Sequence, residues 1–157
     1  MPADTMHEHE DGKRPDEWEQ PLHGSDVTAV GGGPEIGILG PLALRLDGVP
    51  VPIGRVKQRA LLALLATEAG RTVSVDRMID ELWGDEPPAR ATASLQAYVS
   101  NLRRLLEPSR PKGQPATVLV TEPPGYRLDI PPDAVDASRF ETLAASARDL
   151  LERGAPA

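Results

Sequence analysis

"SLQAYVSNLRRLL", Ser94 to Leu106, is the stretch on which the reading of this chain turns. Advanced at 100° per residue from Leu95, the residues Leu95, Val99, Leu102 and Leu106 fall within about 40° of a common centre and form one inward stripe. Opposite them, near 200°, come Ala97, Asn101 and Arg104, flanked by Ala93, Ser94 and Ser100. Arg90 joins that side if the helix begins early enough. A solvent-facing helix usually carries long Glu and Lys side chains there; this one carries small ones. The outer face therefore reads either as that of a structural amphipathic helix or as a surface shaped to enter a concave partner.

The flanking sequence narrows the choice. "TVSVDRMIDELWG" places Val75, Met78, Ile79 and Leu82 at i, i+3, i+4, i+7, with Ser74 as N-cap, Asp76 in the first turn and Gly84 at the end. "DEPPARA" then breaks the helix, because Pro87 and Pro88 cannot continue it. Further upstream, "RVKQRALLALLATEAG" predicts another helix, with Val56, Ala60, Leu61, Leu64 and Leu65 as its stripe and Gly70 closing it. Before it, Ile36, Ile38, Leu42, Leu44 and Leu46 recur mostly two apart, the strand period, and "LDGVPV" supplies an Asp-Gly hairpin turn. Downstream, "TVLVTEPPGYRLDI" predicts a hairpin: Val118 and Val120 alternate, Pro123-Pro124-Gly125 turns, and Tyr126, Leu128 and Ile130 alternate back. Strands, three helices and a hairpin, in that order, are the layout of a winged helix-turn-helix of the α+β class. The last segment, "VDASRFETLAASARDLLERG", is helical, with Phe140, Leu143, Ala147, Leu150 and Leu151 on one side and little sequence nearby to cover them.

The chain's net charge of −7 conceals an asymmetry. Residues 1–35 hold nine acids and two bases, whereas 36–157 hold 15 of each and are neutral. Within 89–127 there are six bases and two acids. Association follows the local field more than the total, so an acidic tail does not forbid an anionic partner further along. Residues 1–34 are polar, charged and end in "GGGP", and are expected to be a disordered acidic tail. "HEHE" within it reads as solvated charge rather than a metal site.

Several function classes drop out. There is no cysteine, hence no disulfide framework and no thiolate zinc site. The three histidines, His7, His9 and His23, all lie in the tail, which leaves the folded part without an imidazole for a triad or a metal. No Walker-type phosphate loop occurs, and Asp80-Glu81 and Asp85-Glu86 read as solvated helix-end charges. No enzymatic activity and no cofactor are expected. No apolar run reaches the roughly 18 residues of a membrane span, and the N-terminus lacks a signal-peptide core; a cytoplasmic location is expected.

A DNA major groove, about 12 Å wide, is a concave partner that suits a small-residue helix face. Asn101 can pair with adenine, Ser94 with either base type, and Ala97 can touch a thymine methyl; Arg103 and Arg104 can reach phosphates or guanine. Amides near Arg90 and Thr92 face a phosphate if this end is uncapped. Arg127, just past the "PPG" tip, could enter the adjacent minor groove or be an ordinary exposed strand arginine. Trp83 is either core or a phosphate contact through its indole N–H, and Tyr98 borders the apolar stripe.

The combination of "GPLALRLDG", "KQRALLALL", "VSVDRMIDELWGDEPP", "LQAYVSNLRRLL" and "PPGYRLD", in that order over about 36–130, closely resembles the DNA-binding domain of SARP transcription activators (the AfsR/DnrI type). These belong to the wider OmpR/PhoB winged-helix class. The resemblance implies a domain at 35–130 with a four-stranded N-terminal sheet, three helices and a C-terminal wing. It implies base contacts at Ser94, Ala97, Tyr98 and Asn101, phosphate contacts at Trp83, Arg90, Thr92, Ser100 and Arg103, and a wing contact at Arg127. It further implies tandem direct repeats of double-stranded DNA bound by side-by-side protomers, and activation of secondary-metabolite (antibiotic) gene clusters through RNA polymerase and its sigma factor. The loop between the second and third helices, "GDEPPARA", is the polymerase contact this resemblance implies. Asn101 stands where relatives often carry arginine, which changes the expected base preference. Residues 131–157 resemble the start of the helical, TPR-like activation domain that follows in these proteins, truncated at Ala157. The rival expectation is a protein-interaction module, or a truncated regulator that modulates a full-length partner.

Overall fold

The structure, a computed structural model, describes residues 32–154. The expected tail up to residue 31, with "HEHE" and all three histidines, lies outside the described residues.

Three short antiparallel strands open the fold in the order β1-β2-β3: β1 (Pro34–Gly37), β2 (Ala43–Leu46) and β3 (Val49–Pro50). The first of these strands includes Pro34, the last residue of the expected tail. The β2–β3 turn is the Asp-Gly pair, with φ of 51° at Asp47 and 78° at Gly48, the left-handed conformations a two-residue hairpin requires. Leu46 pairs with Val49 across it. The expected fourth strand of this layer is absent among the described residues. In "VPVPIG" the prolines remove amide donors after two residues of β3, and only Val51 still bonds back to Leu44, at 2.9 Å.

Helix α1 (Val56–Thr67) buries Gln58, Leu61, Leu62, Leu65 and Ala66. This corrects the predicted stripe, because Val56 is 79% exposed and Ala60 is also outside. "ALLALLA" is apolar on every side, so periodicity alone could not set its phase. Helix α2 (Val75–Trp83) follows prediction. Met78 and Leu82 are buried, the Ser74 hydroxyl accepts from the Arg77 amide at 3.2 Å, and Gly84 closes the helix at φ 63°. Helix α3 (Ala91–Leu106) buries Leu95, Val99, Leu102 and Leu106, as its spacing predicts, together with Ala91.

The residues leading into α2, to which the sequence reading assigned no strand, form strand β4 (Thr72–Ser74). It joins the C-terminal hairpin, β5 (Leu119–Glu122) and β6 (Gly125–Leu128), in a second antiparallel sheet of order β4-β6-β5. The hairpin is therefore anchored along β6, from Leu128 up to the turn. Gly70 N donates to Leu128 O at 2.9 Å and Val75 N to Pro124 O at 3.2 Å, one beyond each end of β4. Strand β5 turns Leu119 inward, fully buried opposite Leu128, rather than Val118 and Val120. One core joins the layers, with Ile36 and Leu44 from the first sheet, Leu61 and Met78 from the helices, and Leu119 and Leu128 from the second sheet.

The chain then returns to the first sheet. Val135, fully buried, bridges Ile36 in parallel. Helix α4 (Asp136–Glu152) starts there, with the Asp136 carboxylate accepting from the amides of Ile38 (2.7 Å), Leu39 (3.2 Å) and its own neighbour Ala137 (2.8 Å). Beyond this clamp α4 buries no residue; Phe140, Leu143, Leu150 and Leu151 are each more than half exposed.

Candidate nucleic-acid interface

The interface is built on α3, whose inward stripe is held by α1 and α2 and whose C-terminal half meets β5. Packing on that side turns the opposite face out: Thr92, Ala93, Gln96, Ala97, Ser100 and Arg104 are exposed, and Ser94, Tyr98 and Asn101 are half-buried at its margin. The small-residue face is thus a surface, continuous over the first two and a half turns. Gln96 belongs to it and was passed over in the sequence reading, although the helical projection places it at 100° from Leu95, beside Ser100.

The N-terminus of α3 is open. Arg90 is the N-cap residue, exposed and just outside the helix, and no side chain caps this end. The Ala91 amide donates to the Pro88 carbonyl at 2.9 Å and that of Ser94 to Arg90 at 3.0 Å, which leaves the amides of Thr92 and Ala93, beside an exposed guanidinium, as a candidate anion-binding end. Neither Arg90 nor Arg104 has a carboxylate partner among the described residues. The preceding loop, Gly84 to Arg90, is exposed throughout.

Asn101 and Arg104 act as a pair. One Arg104 guanidinium nitrogen donates to Asn101 Oδ1, beside a recess lined by Pro52, Gly54, Gln58 and Leu105. Two-point pairing of Asn101 with adenine uses that same oxygen, whose two lone pairs can accept from both partners. Gln58, the one buried polar side chain among the described residues, fits against Gly54, where a Cβ would lie 2.9 Å from its Oε1.

Trp83 and Tyr98 are brought together. Their rings stack with centroids 6.3 Å apart and planes 19° from parallel. Lys57 covers the other partner of this stack, its Nζ 5.7 Å from the Trp83 ring centre, while donating to the carbonyl of Leu82. A cation there meets one of the carbonyls left unpaired at the end of α2 and fixes the indole at the junction of the three helices. Trp83 is half-buried, between the two expectations for it, core and contact. Sequence gave no signal for Lys57, which reaches its partner across 25 residues.

Arg103 and Arg127 are engaged differently from expectation. Arg103 donates from Nε to the Leu119 carbonyl at 2.8 Å and from Nη2 to Thr121 Oγ1 at 2.7 Å, and lies over the Tyr126 ring at 5.6 Å. Expected at a phosphate, it is turned inward onto the hairpin. Arg127 sits in the middle of β6, opposite Val120 and Thr72, rather than at the hairpin tip. It is paired with Glu122 at 3.0 Å and Asp129 at 3.6 Å.

Among the described residues no helix is long and apolar enough to cross a membrane. Residues 53–128 match the family described as "Transcriptional regulatory protein, C terminal". The chain is 49% identical over 106 residues to the transcriptional regulatory protein EmbR of Mycobacterium tuberculosis, covering 68% of this chain and 27% of that protein. It is 40% identical over 124 residues to the regulatory protein DnrI of Streptomyces peucetius, covering 76% of this chain and 45% of that protein. The chain thus spans between about a quarter and a half of the length of these relatives. A solved structure of M. tuberculosis EmbR in complex with a low-affinity phosphopeptide superposes with a TM-score of 0.64 at 46% identity, over 70% of this chain and 28% of that one.

Proposed function

We propose, for a chain that carries a transcriptional-regulator DNA-binding domain of the SARP type, that it reads tandem direct repeats with α3 in the major groove and the β5–β6 hairpin as a wing at the adjacent minor groove. The observation that carries this reading is the exposed run of small residues on α3, open at its N-terminal end and flanked by two arginines without carboxylate partners. Small side chains let the helix backbone approach base edges closely. Ser94, Ala97, Tyr98 and Asn101 then face bases, with Gln96 beside them. Arg90, Thr92 and Ser100 face phosphates, and the half-buried Trp83 adds its indole N–H. Arg127 reaches the minor groove by exchanging its carboxylate partners for the narrow groove's negative potential.

Two protomers side by side on a direct repeat, with the exposed Gly84–Arg90 loop offered to RNA polymerase and its sigma factor, account for activation of secondary-metabolite genes. Protein contact is a second reading with its own support. The apolar residues exposed along α4 suit a helical protein surface rather than DNA.

The test is the salt dependence of binding. With about four to six phosphates neutralised, log K falls with log salt at a slope of roughly −4 to −5. A shallow slope on every duplex tried would overturn the DNA reading and favour the protein one.

A further inference from the structure

Arg103 is the residue whose surroundings least fit a nucleic-acid contact. Two of its three guanidinium nitrogens are engaged within the protein, at 2.8 Å on Leu119 O and 2.7 Å on Thr121 Oγ1, and its plane rests over Tyr126. The three groups belong to both strands of the hairpin: Leu119 and Thr121 lie on β5 and Tyr126 on β6. Thr121 and Tyr126 are cross-strand partners, so one guanidinium holds the two strands at the same rung. The residue is half-buried, and α3 meets β5 along this line. The hairpin is also held by β4, whose backbone pairs with β6 from Arg127 up to Gly125, and by the buried side chains of Leu119 and Leu128. Arg103 adds a side-chain tie from both strands of the hairpin directly to α3.

We propose that Arg103 is a positioning residue: it locks the wing against the reader helix so that both meet DNA as one rigid unit. This rests on the reading of α3 and the hairpin as a DNA interface. A planar fork is needed for the role. Nε must point at a backbone carbonyl while Nη2 reaches a hydroxyl, a geometry that a lysine ammonium cannot reproduce. A phosphate contact, by contrast, needs mainly charge, which lysine supplies.

The substitutions follow from that difference. Arg103→Lys keeps the charge and removes the fork; Thr121→Val keeps the arginine and removes one of its partners. Binding of the selected duplex is titrated for both, for Arg103→Ala, for Arg127→Ala, and for the Arg103→Ala/Arg127→Ala double variant. The positioning role predicts that Arg103→Lys weakens binding about as much as Arg103→Ala, on the order of tenfold, and that Thr121→Val weakens it severalfold. In the double variant, losing Arg127 adds little to the loss of Arg103, because a wing already displaced no longer delivers its arginine. Near-wild-type binding by Arg103→Lys, unchanged or tighter binding by Thr121→Val, and additive losses in the double variant would overturn the proposal and return Arg103 to the phosphates.

A readout without DNA separates this from the function itself. In the free protein the Arg103 Nε–H resonance is predicted to exchange slowly with water, and faster in Thr121→Val. Fast exchange in the wild type refutes the lock whatever the binding data show. A slow Nε–H in a protein that binds no duplex upholds the lock and overturns the DNA reading.

Discussion

Gly125 begins β6 at the point where the wing crosses β4, and its replacement by alanine tests how the wing is seated. A Cβ there would overlap the Val73 carbonyl oxygen and stand 2.8 Å from Ser74 Cα, closer than real Cβ contacts come. Both obstacles are backbone atoms, so no side-chain rotation relieves them. The strands must part, and the Val73↔Tyr126 and Ser74↔Gly125 pairs are the first to suffer. Overpacking of this kind costs typically about 1–3 kcal/mol; with backbone on both sides the upper part of that range, about 2–3 kcal/mol, is expected. For a domain of this size that lowers the melting temperature by roughly 8–24 °C. Gly40→Ala is the control. A Cβ at Gly40 meets nothing within 4 Å, and alanine there is expected to be neutral or to stabilise by up to about 1 kcal/mol through the unfolded chain. Thermal and urea unfolding followed by circular dichroism measure both. A Gly125→Ala protein within about 0.5 kcal/mol of wild type would mean that β4 and β6 are not packed as described.

Three further perturbations probe the other ends of the molecule. Asp136→Ala removes the acceptor for three amides, two of them just past β1, and is expected to destabilise by about 1–3 kcal/mol; Asp136→Asn recovers part of it, and equal stability of all three proteins in urea would refute the clamp. Asn101→Ala is expected to relax the sequence preference at one position, at a cost of about 1–3 kcal/mol on the best site, and a uniform loss across mutated sites would argue against base contact. Deleting residues 1–31, which carry eight acids and two bases, is expected to tighten DNA binding at low salt and to matter little at high salt; equal affinity at every salt concentration would show that the tail's charge is not felt.

Where one face of an element is plainly apolar and the other plainly polar, its structure could be read in advance. Helix α3 and its inward stripe of Leu95, Val99, Leu102 and Leu106, the Ser74 cap, Gly84 and the Asp47-Gly48 turn all follow from local chemistry acting within a few residues. Where apolar residues run consecutively the phase was lost. "ALLALLA" and "TVLV" bury Leu62 and Leu119, residues that no spacing rule singles out, because the choice is made by partners such as Leu128 on another strand. Strand β4 was not assigned for the same reason: Thr72–Ser74 is a strand only because the wing pairs with it. The outline of the interface was legible from the small residues on α3. The engagement of its arginines was not. Arg103 on the hairpin, Arg104 on Asn101, and Arg127 between two carboxylates are settled by tertiary neighbours, and net charge over a window cannot separate a free cation from a paired one.

The central claim is that this domain recognises DNA sequence through α3, and selection from random duplexes tests it most directly. The purified chain is used to enrich duplex DNA over several rounds, and the enriched pool is sequenced. The account predicts a defined motif, occurring twice in the same orientation, whose affinity falls steeply with salt and which Asn101→Ala recognises less selectively. A pool that stays random, or a motif that Asn101→Ala and Ala97→Glu select unchanged, would contradict it.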